Sequence, residues 1–190
     1  MTWANHKATG IKWPAGVPTV TATVLEAINK QVSNEFTASF SYLSMAAWCE
    51  HNNFMGAGAW LRAQSAEEHL HAMRLFNFLL ARNHQVTLLG IDPPKSDFTS
   101  LLDVFEKSLA QEHGVSRQID ALYELAFREK VFAAMAELQW FITEQVEEEK
   151  TVREIVAKLK MVSNDPASLL DLDRDLGARK PDASAGAESA

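Results

Sequence analysis

Glu67-Glu68-His69-Leu70-His71 lies in the middle of a stretch, Met55 to about His84, whose apolar residues otherwise recur at helical spacing. On a helix, residues three apart project from the same side, so Glu68 and His71 can converge on one metal ion. A single carboxylate and imidazole do not complete a site. The rest of the chain must supply the other ligands, from carboxylates that interrupt an apolar row at the same depth.

Three further rows carry one. Leu25, Ile28, Val32, Ser39, Tyr42, Ala46 and Cys49 follow steps of three or four, and Glu35 falls among them. The opening motif belongs to a second row, Ala57, Leu61, Gln64, Glu68, His71, Leu75 and Phe78. Leu101, Phe105, Leu109, Val115, Ile119, Leu122 and Ala126 form a third, with Glu112 in register. The fourth is Val131, Ala134, Leu138, Phe141, Gln145, Glu148, Val152, Ile155 and Leu159. A carboxylate in an apolar row is costly unless something pairs with it. Four of them gathered without a cation would raise one another's pKa values. Glu35, Glu68, His71, Glu112 and Glu148 therefore make sense in one layer around metal. Oxygen-rich ligation with one imidazole suits iron or manganese, with zinc as a competitor. Four carboxylates balance most of the charge of two divalent ions, and Glu68, beside His71, is the natural bridge. Two metals at one site open two-electron chemistry with dioxygen.

These rows predict an all-α chain: a four-helix bundle with one long crossover between helices two and three, plus a short fifth C-terminal helix. Thr23-Val24-Leu25-Glu26 has the spacing of a capping box and predicts the first helix start. Asn52-Asn53 marks a turn, and Arg128-Glu129-Lys130 is where the third helix, from about Leu101 to about Phe127, gives way to the fourth. From Gln85 to about Thr99 there is no helical period, and Gly90, Pro93 and Pro94 break the chain. Such a connection needs a reason. About 15 extended residues reach ~50 Å, enough to travel along a helix of ~30 residues and ~45 Å, so the helices on either side of it would run parallel. Asp165 before Pro166 predicts the cap of the fifth helix, which Gly177 ends. Residues 1–20 read as an N-terminal extension, 21–176 as the bundle and 177–190 as a disordered tail. Asp171, Asp173 and Asp175 read as the polar side of the fifth helix, and His6, His51, His84 and His113 as surface residues.

Composition narrows the clients. The net charge of −7 argues against nucleic acid as a partner and in favour of cations. No apolar run approaches the ~18 residues that span a bilayer, so no membrane association is expected. Met1 to Val20 lacks the apolar core of a secretory signal. One cysteine, Cys49, excludes a Cys-rich metal site and fits a reducing compartment. A cytoplasmic protein is expected, or an organellar one if the N-terminus is a processed presequence remnant.

Asn34-Glu35 followed by Tyr42, then Ala66-Glu67-Glu68-His69-Leu70-His71, Glu112, and Gln139-Trp140 with Glu144-Gln145-Val146-Glu147-Glu148-Glu149-Lys150, resemble a non-haem ferritin of the prokaryotic or algal type. The resemblance covers roughly Thr21 to Leu176. It implies an iron-storage protein that oxidises Fe(II) with dioxygen or peroxide and deposits ferric mineral in a homo-oligomeric shell of 24 subunits. It implies that Glu35, Glu68 and His71 hold one ferroxidase iron and Glu68, Glu112 and Glu148 the second, with Gln145 close by. Tyr42 would hydrogen-bond within the site and give up an electron during oxidation, or else be a core tyrosine with a satisfied hydroxyl. Glu67, Glu144 and Glu147 would make a third iron site with Glu148, or a solvated acidic face. Bacterioferritins carry a second Glu-x-x-His where this chain has Gln145-x-x-Glu148, and a haem-ligating Met where it has His69, so no haem is expected. The alternative is a rubrerythrin-like di-iron peroxidase or oxygenase without storage, against which stand the lack of a Cys-x-x-Cys module and of a second ligating His.

Overall fold

The structure is a computed structural model and describes residues 22–162 and 164–178. The N-terminal extension with His6, and the tail beyond Ala178, lie outside the described residues. Five helices and no strand are found among the described residues: α1 (Ala22–His51), α2 (Met55–Ala81), α3 (Leu101–Arg128), α4 (Phe132–Val162) and α5 (Pro166–Gly177). The first four form the bundle, as the apolar rows predict. α1 already runs from Ala22, so Thr23 lies inside its first turn rather than ahead of it as a cap.

α1, α2 and α3 end alike. Asn53, Asn83 and Lys130 adopt φ of 65°, 57° and 57°, the left-handed conformation that closes a Schellman motif. At α2, His84 N reaches back to Leu79 O at 3.0 Å and Asn83 N to Leu80 O at 2.9 Å. This stops the helix at Ala81, short of the expected His84. Phe54 N to Cys49 O and Val131 N to Ala126 O repeat the pattern. α3 is capped by Ser100, whose side chain accepts from Asp103 N, while Thr99 N donates to Asp103 Oδ2.

The connection from α2 to α3 runs along α1. Asn29 Nδ2 donates to Thr87 O near the start of α1, and Ser44 Oγ donates to Lys95 O about three quarters of the way along it. The crossover thus carries the chain from one end of the bundle to the other, and α2 and α3 run parallel.

Two apolar clusters fill the bundle, one at each end. The first joins Tyr42 to Cys49 of α1, Ala57 to Leu61 of α2, Leu101 to Phe105 of α3 and Val152 to Leu159 of α4, with Leu176 of α5. The second joins Val24 to Val32, Leu75 to Leu79, Val115 to Ala126 and Val131 to Phe141. Between them lies a layer of buried polar residues: Glu35, Gln64, Glu68, His71, Glu112, Gln145 and Glu148.

α5 closes the first end through a contact that overturns the reading of its aspartates. Asp173 is buried, and its carboxylate accepts from Gly56 N at 3.1 Å and Ala57 N at 2.8 Å. α2 has no side-chain cap of its own at Phe54, so Asp173 caps it from 116 residues away, where a carboxylate also meets the positive end of the helix dipole. The helices touch closely: a Cβ on Gly56 would lie 1.7 Å from Asp173 O. Asp171 and Asp175 are exposed, as expected.

Candidate metal centre

All four rods of the bundle contribute to the polar layer. α1 delivers Glu35, α2 delivers Glu68 and His71 one turn apart, α3 delivers Glu112 and α4 delivers Gln145 and Glu148. Among the described residues, Glu35, Glu68 and His71 form a group whose ligand atoms all lie within 4.8 Å of one another, every one of them buried. His71 Nδ1 stands 3.3 Å from Glu68 Oε2. Glu35 Oε1 accepts from Gln31 Nε2 at 2.8 Å. Its other oxygen, Oε2, is buried without a hydrogen-bond partner.

Electrostatics mark the group as wanting a positive charge. Burial, then the neighbouring Glu68 carboxylate, push Glu35 up to about 8 from an ordinary 4.5. Burial drives Glu68 well above its ordinary range, and Glu112 and Glu148 drive it further. A divalent cation would supply the missing counter-charge and fill the vacant hydrogen-bonding position at Glu35 Oε2. Carboxylates and one imidazole, with no thiolate among them, suit a hard or borderline cation.

The other half of the layer is held by hydrogen bonds. Tyr42, fully buried, donates its hydroxyl to Glu112 Oε1 and accepts from Ser108 Oγ at 3.0 Å. Burial, then the Glu112 charge, push the Tyr42 phenol well above 10. Gln145 Nε2 lies 3.3 Å from Glu112 Oε2 and 3.4 Å from Ser116 Oγ. Gln64 Nε2 donates to Glu148 Oε2 at 2.9 Å. Burial raises the Glu112 pKa, against the lowering effect of Tyr42 and Gln145.

Sequence reasoning missed the packing round His71. The rings of Trp140 and Phe141 on α4 meet the imidazole edge to face, at centroid distances of 5.3 and 5.9 Å. The Arg74 guanidinium lies 4.3 Å over the Trp140 ring, and its Nε donates to Glu137 at 2.6 Å. The signal was present: Arg74 falls one turn after His71, on the same side of α2.

Glu67, Glu144 and Glu147 do not join such a group. Glu67 is buried, Glu144 half-buried and Glu147 exposed, with Lys150 Nζ 3.6 Å from its carboxylate. His51 and His69 are exposed, and the His69 ring lies 5.4 Å from Phe36. His113 is half-buried and pairs with Glu149 at 3.5 Å, at the edge of a cavity of about 270 Å³ lined by Ser116, Gln145, Glu149 and Arg153 among others.

Known proteins share this sequence pattern and fold. The ferritin-like domain family matches residues 25–162. A bacterial non-haem ferritin of Staphylococcus aureus is 34% identical over 156 residues, covering 82% of this chain and 94% of the relative. The corresponding protein of Staphylococcus saprophyticus is 34% identical over 161 residues, with 85% and 96% covered. Among solved structures, an open pore ferritin from the archaeon Archaeoglobus fulgidus superposes with a TM-score of 0.84 at 37% identity, covering 86% of this chain and 99% of that one. Family, relatives and fold agree: the chain belongs to the ferritin family.

Proposed function

We propose that this protein stores iron: Fe(II) binds at the buried centre, is oxidised to Fe(III) by dioxygen or peroxide, and passes as ferric mineral into a shell of 24 copies. Iron is here substrate and cargo. The observation that carries the reading is the Glu35, Glu68 and His71 group, buried, with ligand atoms within 4.8 Å of one another and the Glu35 and Glu68 carboxylates crowded together. Membership of the ferritin family supports storage rather than a fixed di-iron oxygenase.

In this reading Glu35, Glu68 and His71 bind one Fe(II), and Glu68, Glu112 and Glu148 the second, with Glu68 between them. Gln145 orients Glu112, and Gln64 orients Glu148. Tyr42 sits with its hydroxyl on Glu112, so a phenol able to lose an electron has a carboxylate ready to take its proton. Trp140 and Phe141 seal the imidazole from bulk water. Glu67, whose charge acts on Glu68, would with Glu144 and Glu147 offer carboxylates to a third iron on its way to mineral. Glu137, near the start of α4, is engaged by Arg74.

Aerobic addition of Fe(II) to the metal-free protein tests this. Amber ferric product should accumulate far beyond two irons per chain, in an assembly sedimenting as a 24-subunit shell. A yield that stops at two irons would end the storage claim, and oxidation no faster than in buffer would end the ferroxidase claim.

A further inference from the structure

Glu35 is oriented by a ring of side-chain amides that spans two helices. Gln31, one turn earlier on α1 and only 2% exposed, donates from Nε2 both to Glu35 Oε1 at 2.8 Å and to Gln118 Oε1 on α3 at 3.1 Å. Gln31 Oε1 accepts from Asn34 Nδ2 at 3.0 Å, and the same Asn34 nitrogen reaches Gln118 Oε1 at 3.1 Å. Both amide hydrogens and the carbonyl of Gln31 are therefore committed.

The chemistry fixes which way round the amide stands. An ionised carboxylate only accepts hydrogen bonds, so the nitrogen of Gln31 must face Glu35. Turning the amide over would set its carbonyl against two oxygens, at Glu35 and Gln118, and its nitrogen against that of Asn34. Glu35 Oε1 thereby accepts a hydrogen bond whenever the carboxylate is charged, and Oε2, on which no donor lies, is the freer of the two oxygens.

We propose that Gln31, anchored by Asn34 and Gln118, is a positioning residue that makes Glu35 a one-oxygen ligand, binding metal through Oε2 alone. A carboxylate that grips with both oxygens fills two positions around a cation. One restrained to a single oxygen leaves a position open for a small molecule, which a centre that must admit an oxidant requires. The inference rests on the ferroxidase reading of this site, and the partners of Gln31 extend it to α3, where Gln118 is exposed.

Co(II), which dioxygen leaves unoxidised with such ligands and whose visible bands weaken as its coordination number rises, is the probe. Gln31→Met keeps the side-chain length and removes the amide. In the full chain it should lower Co(II) affinity at this site about tenfold, or about 1.4 kcal/mol, and weaken the visible bands as Glu35 Oε1 joins the metal. Gln118→Ala, at an exposed position, should give a smaller change in the same direction, and it decides the matter should Gln31→Met fail to fold. Parent-like affinity and spectrum in these variants, with Glu35→Ala abolishing binding, would overturn the inference while leaving the site reading intact. Lowered affinity with an unchanged spectrum would also overturn the one-oxygen assignment. If the parent binds no Co(II), or Glu35→Ala binds it equally well, the site reading fails and the inference with it.

Discussion

At the scale of single residues, Glu35 dictates how the metal-free protein responds to pH. In the unfolded chain its carboxyl titrates near 4.5, whereas burial in the fold pushes it up to about 8. Between those values the folded state holds a proton that the unfolded chain has released, so stability falls as pH rises. The contribution is complete below about 4.5 and lost on passing through about 8; Glu68 and Glu112, also raised, act in the same direction. Calorimetry of the metal-free protein should therefore show a melting temperature that declines from pH 5 to pH 8, and Glu35→Gln should flatten the decline. Zn(II) should reverse it, because a cation binds the ionised form and displaces the proton. Glu68→Ala should slow Fe(II) oxidation by more than about a hundredfold, since even residues that only support a ligand are worth 10–100-fold. The metal-free variant should melt no lower than its parent, because one of the crowded carboxylates has gone. Stopped-flow absorbance and calorimetry check the two halves of that expectation.

At the scale of elements, the docking of α5 on α2 is the contact most open to test. Asp173→Ala removes the acceptor for Gly56 N and Ala57 N and should cost about 1–2 kcal/mol, the loss of a helix cap, read as a lower urea midpoint. Gly56→Ala forces a methyl group into the Asp173 carbonyl, so α5 must lift away; faster protease cleavage between α4 and α5 would report it. These contacts were not legible in the sequence, where Asp171, Asp173 and Asp175 alternate like any polar face and the partner of Asp173 is brought near only by the fold. The helices themselves were legible, because charged residues in register with apolar ones stand out. Their ends were legible in part: Asn53 tolerates the left-handed conformation it adopts, but Lys130 gives no such warning. The burial of Glu35, Glu68, His71, Glu112 and Glu148 could be read from spacing, because each falls in register with an apolar row. Gln31 could not, since an amide one turn from Glu35 fits either a core or a surface position.

At the scale of the whole molecule, the polar layer divides the interior into two apolar clusters that share no side chain. A cation bound by Glu35, Glu68 and His71 would add stability by mass action, about 2.7 kcal/mol at a hundred times the dissociation constant, and would tie α1 to α2 between the two clusters. Leu43, Leu88 and Leu89 are large apolar residues left exposed on the isolated chain, on α1 and on the crossover beside it. Replacing Leu88 and Leu89 together with Glu should shift the assembly toward smaller species in sedimentation velocity, while far-ultraviolet circular dichroism keeps its helical signal. The belt between the clusters has a last consequence, visible in amide hydrogen exchange. In the metal-free protein the amides of the two ends should exchange at separate rates, because each end has its own apolar cluster. With a divalent cation bound the two sets of rates should converge, so the cargo would also set the grain along which the subunit comes apart.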